Sequence, residues 1–263
     1  MIEGLQKSGA SGRQSVAAAG LVVTWSAGFI GAALGTRAGE GPLTVLAWRY
    51  ALLSGILFVA CLISATSLAS WAAWKRQFRL ALLSQAGYVG LVFVGISYGV
   101  HGGTTALIAA LQPLLVMTVA GRVLGEATNR AAWIGTALGF VGVFVVVSTE
   151  MRADHAPTWV YIFPSLAMLS LTVGTILSKK MNPPETLLQT ITMQAVVSAV
   201  TFALVATLTG QAHVPINVDA WAAIAWLILI PSIAGYGLYV YVTHASGATA
   251  VSTLLYLTPP TTM

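Results

Sequence analysis

Charge is what this 263-residue sequence has least of. Only 7% of its residues are Asp, Glu, Lys or Arg, against roughly 25% in an ordinary soluble domain. With 57% hydrophobic residues, too little polar sequence is left to face water, which excludes a soluble fold. Carboxylates are scarcer still, and none of the seven falls in the middle of a long apolar run. Glu40, Glu126, Glu150, Asp154 and Glu185 lie between runs, and Asp219 lies at the end of one. Proton relays and sodium sites commonly use intramembrane carboxylates, so their lack argues against ion coupling. Cysteine occurs once, at Cys61 inside an apolar run, so no internal disulfide can form. No Gly-x-Gly-x-x-Gly follows a strand and opens a helix, which removes dinucleotide binding. Asp, Glu, His and Cys do not converge near one interface, which argues against a membrane-embedded, lipid-modifying enzyme.

Long apolar runs are what remains. Mean hydropathy is +0.85. A spanning helix needs roughly 20 apolar residues, and nine runs qualify. They are expected at about Gln14–Thr36, Leu43–Thr66, Phe78–Gly99, His101–Glu126, Arg130–Thr149, Thr158–Ser178, Leu187–Leu208, Asp219–Val242 and from Ser246 to Met263. The first run is too long for a signal-peptide core and reads as an uncleaved span. The class is an all-α polytopic membrane protein.

The net charge of +5 does not point to nucleic acid, because the basic residues sit in short loops between apolar runs. With the N-terminus in the cytoplasm, nine Lys and Arg fall inside and two, Arg37 and Arg152, outside, with Arg49 left within a span. The positive-inside rule selects this orientation.

The fourth run carries the strongest internal signal. It reads HGGTTALIAALQPLLVMTVAGRVLGE, with Pro113 in its middle. A proline leaves a helical carbonyl without its partner, which lipid cannot satisfy. That helix is therefore expected to face protein or a wet cavity. An offset of 146 carries Leu111, Pro113 and Met117 onto Leu257, Pro259 and Met263, and Gly28 and Ile30 onto Gly174 and Ile176. The expected organisation is a cytoplasmic N-terminus at 1–13, a first five-helix repeat at 14–150 and a second at 158–263, ending within the ninth span. Five spans per half is odd, so the halves are expected to be inverted, as in transporters with a midplane site. Ten spans are expected, nine of them in this sequence. Small residues four apart, such as Gly31 and Gly35 or Gly135 and Gly139, read as close helix packing.

These features together resemble the drug/metabolite transporter superfamily in its EamA-type branch. The residues that carry the resemblance are Trp25-Ser26, Trp48-Arg49-Tyr50, Gln112-Pro113, Leu124-Gly125-Glu126 and Trp133-Ile134-Gly135 with Gly139 and Gly142. Two departures stand out: a second Leu-Gly-Glu after the ninth span is absent, and Arg49 maps by offset onto Ala195. The resemblance implies ten spans in two inverted halves and export of small metabolites across the bacterial inner membrane. YddG-like amino-acid exporters are one subgroup that fits.

Arg49 is the one intramembrane charge and lies roughly 9 Å inside its span at 1.5 Å per residue. It contacts substrate or a gate, snorkels to the interface beside Trp48 and Tyr50, or bonds carbonyls of a broken helix. Trp71, Trp74, Trp133, Trp159 and Trp221 lie near span ends and read as interfacial belt residues. Trp25, Tyr88, Trp226, Tyr236 and Tyr256 lie deeper and are candidates to line a cavity for aromatic or apolar solutes. Ser26, Thr104, Thr105, Ser252 and Thr253 are candidate pore hydroxyls, and Pro113 marks the break that would face them. His101 and His244 occupy near-equivalent ends of the two halves and are gate candidates, with plain interfacial histidines as the alternative. The expected partners are a small-molecule substrate and the bilayer, with no cofactor, metal or nucleic acid. The expected function is export of small metabolites, above all aromatic or apolar amino acids, by alternating access and facilitated diffusion. The alternatives are proton-coupled drug efflux within the same fold, a lipid-modifying enzyme, and a receptor or scaffold.

Overall fold

The computed structural model describes residues 2–68, 70–123 and 156–246, with short pieces between 133 and 149. Among the described residues every element is helical. α1 runs Ile2–Arg37, α2 Pro42–Ile63, α3 Trp71–Ala81, α4 Tyr88–Ser97, α5 Gly102–Ala109 and α6 Gln112–Val123. After a 3₁₀ turn at Thr158–Tyr161 come α7 Ile162–Met181, α8 Leu187–Leu208, α9 Val218–Leu227 and α10 Tyr236–Ser246. A π-helical stretch, Leu82–Gly87, joins α3 to α4, and another, Ile228–Gly235, joins α9 to α10.

Among the described residues six helical stretches are long and apolar enough to cross a membrane: Ser15–Arg37, Pro42–Ile63, Trp71–Ser97, Thr158–Met181, Leu187–Leu208 and Val218–Tyr239. Their outward side chains are apolar, as with Phe58, Leu62, Val200 and Leu204, a surface that only lipid or another apolar face accommodates. The fourth run is a shorter apolar helix, Gly102–Val116, broken in its middle. The described pieces of the fifth run are helical, and 247–263 lie outside the described residues. The helix of the first span begins at Ile2, so it takes in residues read as a polar tail. The third span starts at Trp71 rather than Phe78, because Ser70 caps it by accepting from the Ala73 amide.

Local chemistry sets the other ends. Pro42 starts α2, where a missing N–H costs nothing. Thr186 and Gln189 form a reciprocal capping box that starts α8. α7 stops at Asn182 in a left-handed conformation, followed by two prolines. α1, α4 and α8 finish at the same end of the bundle, and each is closed by a glycine at positive φ two residues on: Gly39, Gly99 and Gly210. Pro113 acts as expected: the helix breaks at Ala110–Leu111 and restarts at Gln112, whose amide donates to Thr175 Oγ1 on α7 at 3.0 Å.

α2 and α8 pack antiparallel along their length. Thr44 Oγ1 donates to the Gln211 carbonyl at one end, and Cys61 Sγ lies 3.3 Å from Thr192 Oγ1 near the other. α1 packs against α9 and the second π-helical stretch, and α7 packs against α4 and the first. Glycines make both approaches close. A Cβ on Gly174 would lie 2.5 Å from Ser84 Oγ, and one on Gly28 would lie 3.8 Å from Pro231 Cβ. The π-helical stretches begin 146 residues apart, at Leu82 and Ile228. The core lies where α1, α2, α4, α8 and α9 meet, around Leu46, Tyr50, Phe93, Phe202 and Leu227.

Each end of the bundle is clasped. At the end carrying Lys75, Arg76, Arg79, Lys179 and Lys180, called here the basic end, Arg76 donates to Glu185 Oε1 and Gln77 Nε2 to Glu185 Oε2 at 3.0 Å. At the opposite end the α1–α2 loop is tied to the segment after α8. Leu43 N donates to Gln211 Oε1 at 3.2 Å, Trp48 Nε1 to the His213 carbonyl at 2.9 Å, and Asn217 Nδ2 to the Ala38 carbonyl at 3.0 Å.

Candidate functional site

The two π-helical stretches face each other across a central cavity of about 220 Å³. A π turn breaks the regular ladder and releases carbonyls, and such turns concentrate at functional sites. In the second stretch, Pro231 has no N–H to give the Leu227 carbonyl. The Ser232 hydroxyl donates to that carbonyl at 2.8 Å. Its single proton is then committed, so to any other partner Ser232 Oγ only accepts. It accepts from Arg49 Nη2 at 3.0 Å. In the first stretch the Leu83 carbonyl accepts from Ser170 Oγ on α7 at 2.8 Å.

Arg49 is 8% exposed and does not snorkel. Its guanidinium carbon lies 5.0 Å from the centre of the Tyr50 ring, a weak cation–π contact. Its Nε is buried with no hydrogen-bond partner among the described residues. Arg49 also lines a second cavity of about 180 Å³ that runs between α2 and α8 along Leu53, Leu57 and Ile191. Gln85 and Tyr236 stand with it in both walls.

The central cavity takes its rings from Trp25, Phe29, Tyr88, Phe93 and Tyr236. Trp25 is held edge-on to Tyr236 at 6.2 Å and stacks on Tyr239 at 5.9 Å. A row of amides leads out of it. Tyr50 OH donates to Gln85 Oε1 at 2.7 Å, and Gln85 Nε2 donates to Tyr236 OH at 2.7 Å and to Gln194 Oε1 at 3.5 Å. Gln194 Nε2 donates to Gln77 Oε1 at 2.8 Å, and Gln77 reaches Glu185 in the basic-end clasp. A buried amide is costly unless paired, and these four glutamine and glutamate side chains pair one another.

Trp25, Arg49, Tyr88 and Tyr236 are thus brought together around the central cavity. Other residues singled out in the sequence lie elsewhere. Ser26 is buried and donates to the Val22 carbonyl of its own helix at 2.8 Å. Thr105 is fully buried in α5, lining neither cavity, and its hydroxyl has no partner among the described residues. Pro113 is the second residue of α6, at the break, and lines neither cavity. Trp226 Nε1 donates to the Ala27 carbonyl at 3.1 Å, a tie between α9 and α1. His101 is exposed at the start of α5. His244 lies in α10, and Ser252, Thr253 and Tyr256 fall outside the described residues. Of the belt tryptophans, Trp71 and Trp159 are exposed near helix ends, and Trp74 and Trp221 donate to the Leu68 and Pro215 carbonyls.

Charge and aromatic content do not single out Gln77, Gln85, Gln194 or Ser232. A recurring pentapeptide does mark the two π-helical stretches: Ser84-Gln85-Ala86-Gly87-Tyr88 and Ser232-Ile233-Ala234-Gly235-Tyr236. The second stretch has eight residues against six in the first. That difference places Tyr88 and Tyr236 two positions out of step with the offset of 146, although each is the first residue after its π turn.

The model of the EamA-like transporter family matches residues 14–148, just over half of the chain. The uncharacterized transporter YyaM of Bacillus subtilis (strain 168) is 26% identical over 240 residues, covering 84% of this chain and 75% of YyaM. Protein PecM of Dickeya dadantii (strain 3937) is 27% identical over 109 residues, covering 41% of this chain and 36% of PecM. No solved structure matches. The apolar helices, the ring-lined cavity among them and the family match agree, and the chain belongs to the EamA-like transporter family, multi-pass membrane proteins that move small molecules across a bilayer.

Proposed function

We propose that this protein exports small organic metabolites, aromatic or apolar amino acids above all, across the bacterial inner membrane by alternating access. The observation that carries the reading is the central cavity. Side chains from α1, α2, α4, α7, α8 and both π-helical stretches line it, so one compartment contacts six spans. Its rings suit an apolar body, and its amides, hydroxyls and guanidinium suit a polar end.

Three features support two inverted five-span halves completed to ten spans. The π-helical stretches start 146 residues apart. The Ser-x-Ala-Gly-Tyr sequence recurs in them. Span 1 packs on span 8 as span 6 packs on span 3, while spans 2 and 7 pair with each other. Midplane sites between such halves are the usual arrangement of alternating-access transporters. The basic end faces the cytoplasm in this reading, as does the N-terminus. Among the described residues the spans contain no carboxylate beside the cavity, which favours facilitated diffusion over ion coupling.

The test is flux into proteoliposomes with a panel of radiolabelled amino acids. Saturable uptake of phenylalanine, tryptophan or leucine above protein-free liposomes is expected. Flux confined to cationic drugs, or lipid turnover without flux, would refute the amino-acid reading.

A further inference from the structure

We infer that Arg49 is the anion-binding end of the central site, so that the transported solute carries a carboxylate and an apolar or aromatic body. The inference rests on the transport reading above and names the substrate class of that site. A guanidinium at membrane depth is costly unless it is paired. Among the described residues, each candidate for its counter-charge is held elsewhere. Among the described residues, Glu185 is held by Arg76 and Gln77, and Glu40 lies 3.7 Å from His213 at the opposite end. Asp219 starts α9 at that same end. None of the seven acidic residues of the sequence falls in the middle of a long apolar run. Among the described residues Arg49 has one neutral acceptor, Ser232 Oγ, and one ring face, Tyr50. Its Nε stays without a partner although it is buried.

An arginine fork matches a carboxylate in two parallel bonds. With Nη2 engaged by Ser232, the remaining donors of the fork have no carboxylate among the described residues, which leaves them to the one a solute brings. The rest of the lining agrees in sign. Among the described residues, Arg49 is the one charged side chain in either cavity wall, and no acidic residue stands there to hold an ammonium. The aliphatic wall of the second cavity, Leu53, Leu57 and Ile191, begins at Arg49. It has the composition to take the apolar tail of a molecule whose head is at the guanidinium. The amino group of an amino acid is tolerated at the amide oxygens of Gln85 or Gln194, but recognition does not require it.

Four probes of one size separate the charges: 3-phenylpropionate, phenylalanine, 3-phenylpropanamide and phenethylamine. Competition with phenylalanine flux in proteoliposomes is measured for the wild type, Arg49→Gln and Arg49→Lys. In the wild type, the two carboxylates are expected to compete at least tenfold better than the amide or the amine. Arg49→Gln should abolish that preference while the protein still reconstitutes. Arg49→Lys should restore part of it, since an ammonium keeps the charge without the planar fork. Equal competition by the amide or amine in the wild type overturns the inference but leaves the transport reading standing. So does an unchanged preference in Arg49→Gln. Absence of flux in the wild type for phenylalanine and for every other amino acid of the panel overturns both.

Discussion

Arg49 and Ser232 stand 183 residues apart in sequence and 3.0 Å apart in space. The bond ties the middle of α2 to the π turn before α10, and it exists because Pro231 left a carbonyl that Ser232 answers. Ser232→Ala removes two partners at once: the donor to Leu227 O and the acceptor for Arg49. A loss of about 1–3 kcal/mol is expected from groups left unsatisfied in a buried site. Thermal unfolding in detergent reads it as a lower melting temperature. Ser232→Thr keeps the hydroxyl and should recover most of the loss. A melting temperature unmoved by Ser232→Ala would show that the bond contributes nothing.

The clasp at the basic end predicts a pH dependence. Burial on its own raises the pKa of Glu185, but the bonds from Arg76 and Gln77 outweigh it and hold the carboxyl below its ordinary value. The folded pKa is therefore below the unfolded one, at about 4.3 for a free glutamate. The sign follows: the clasp contributes fully above the unfolded value and is lost as pH falls through the folded one. Wild-type stability should drop on acidification from about pH 5 to pH 3 more steeply than that of Glu185→Gln, which has no carboxyl to protonate. Equal slopes in the two proteins would remove the clasp from the stability of this end.

Orientation is checked by labelling single cysteines in a Cys61→Ser background. The inverted reading puts His101→Cys, Ala212→Cys and Asp219→Cys on the outer face and Ala72→Cys and Lys180→Cys in the cytoplasm. All five positions are exposed, Ala212 in the segment after α8 and the others near helix ends. An impermeant maleimide should modify the first three in intact cells and not the last two. Reversal of the second-half sites alone would rule out the inverted halves.

Energy coupling gives the fourth prediction. A net-neutral amino acid should equilibrate across liposomes and not accumulate when a pH gradient or a membrane potential is imposed. A monoanion such as 3-phenylpropionate should distribute with the potential, because 100 mV acts on one charge with about 2.3 kcal/mol, roughly fiftyfold. Concentrative uptake of the neutral substrate, abolished by a protonophore, would contradict facilitated diffusion. His101→Gln and His244→Gln would then identify the titrating group.

The helical class, six of the spans and the break at Pro113 were legible because each rests on a local rule: apolar length, or a missing N–H. Arg49 was legible as an intramembrane charge, and Trp25, Tyr88 and Tyr236 as deep aromatics. The first π turn was not. Its stretch, Leu82–Gly87, contains no proline, and its irregularity arises where Ser170 and Gly174 of a distant helix press against it. The glutamine row was hidden for a related reason. Gln77, Gln85 and Gln194 are neutral and lie on two different spans, so their meaning appears only when packing sets them side by side. Ser26 and Thr105 show the converse, since a hydroxyl in a span more often turns to its own helix or into a core than to a pore.

The glutamine row has a direction. From Tyr50 to Gln85, to Gln194, to Gln77, to Glu185, each side chain donates to the next, and the last can only accept. A carboxylate at one end thus fixes the sense of every amide behind it. No proton travels along such a row, because an amide that gave up its hydrogen at one end would have to become an imidic acid at the other. What it transmits is orientation. At the cavity end the same sense leaves the Gln85 nitrogen to donate to the Tyr236 hydroxyl. The basic end and the central cavity are thus joined by a single row of hydrogen bonds whose sense is set at Glu185.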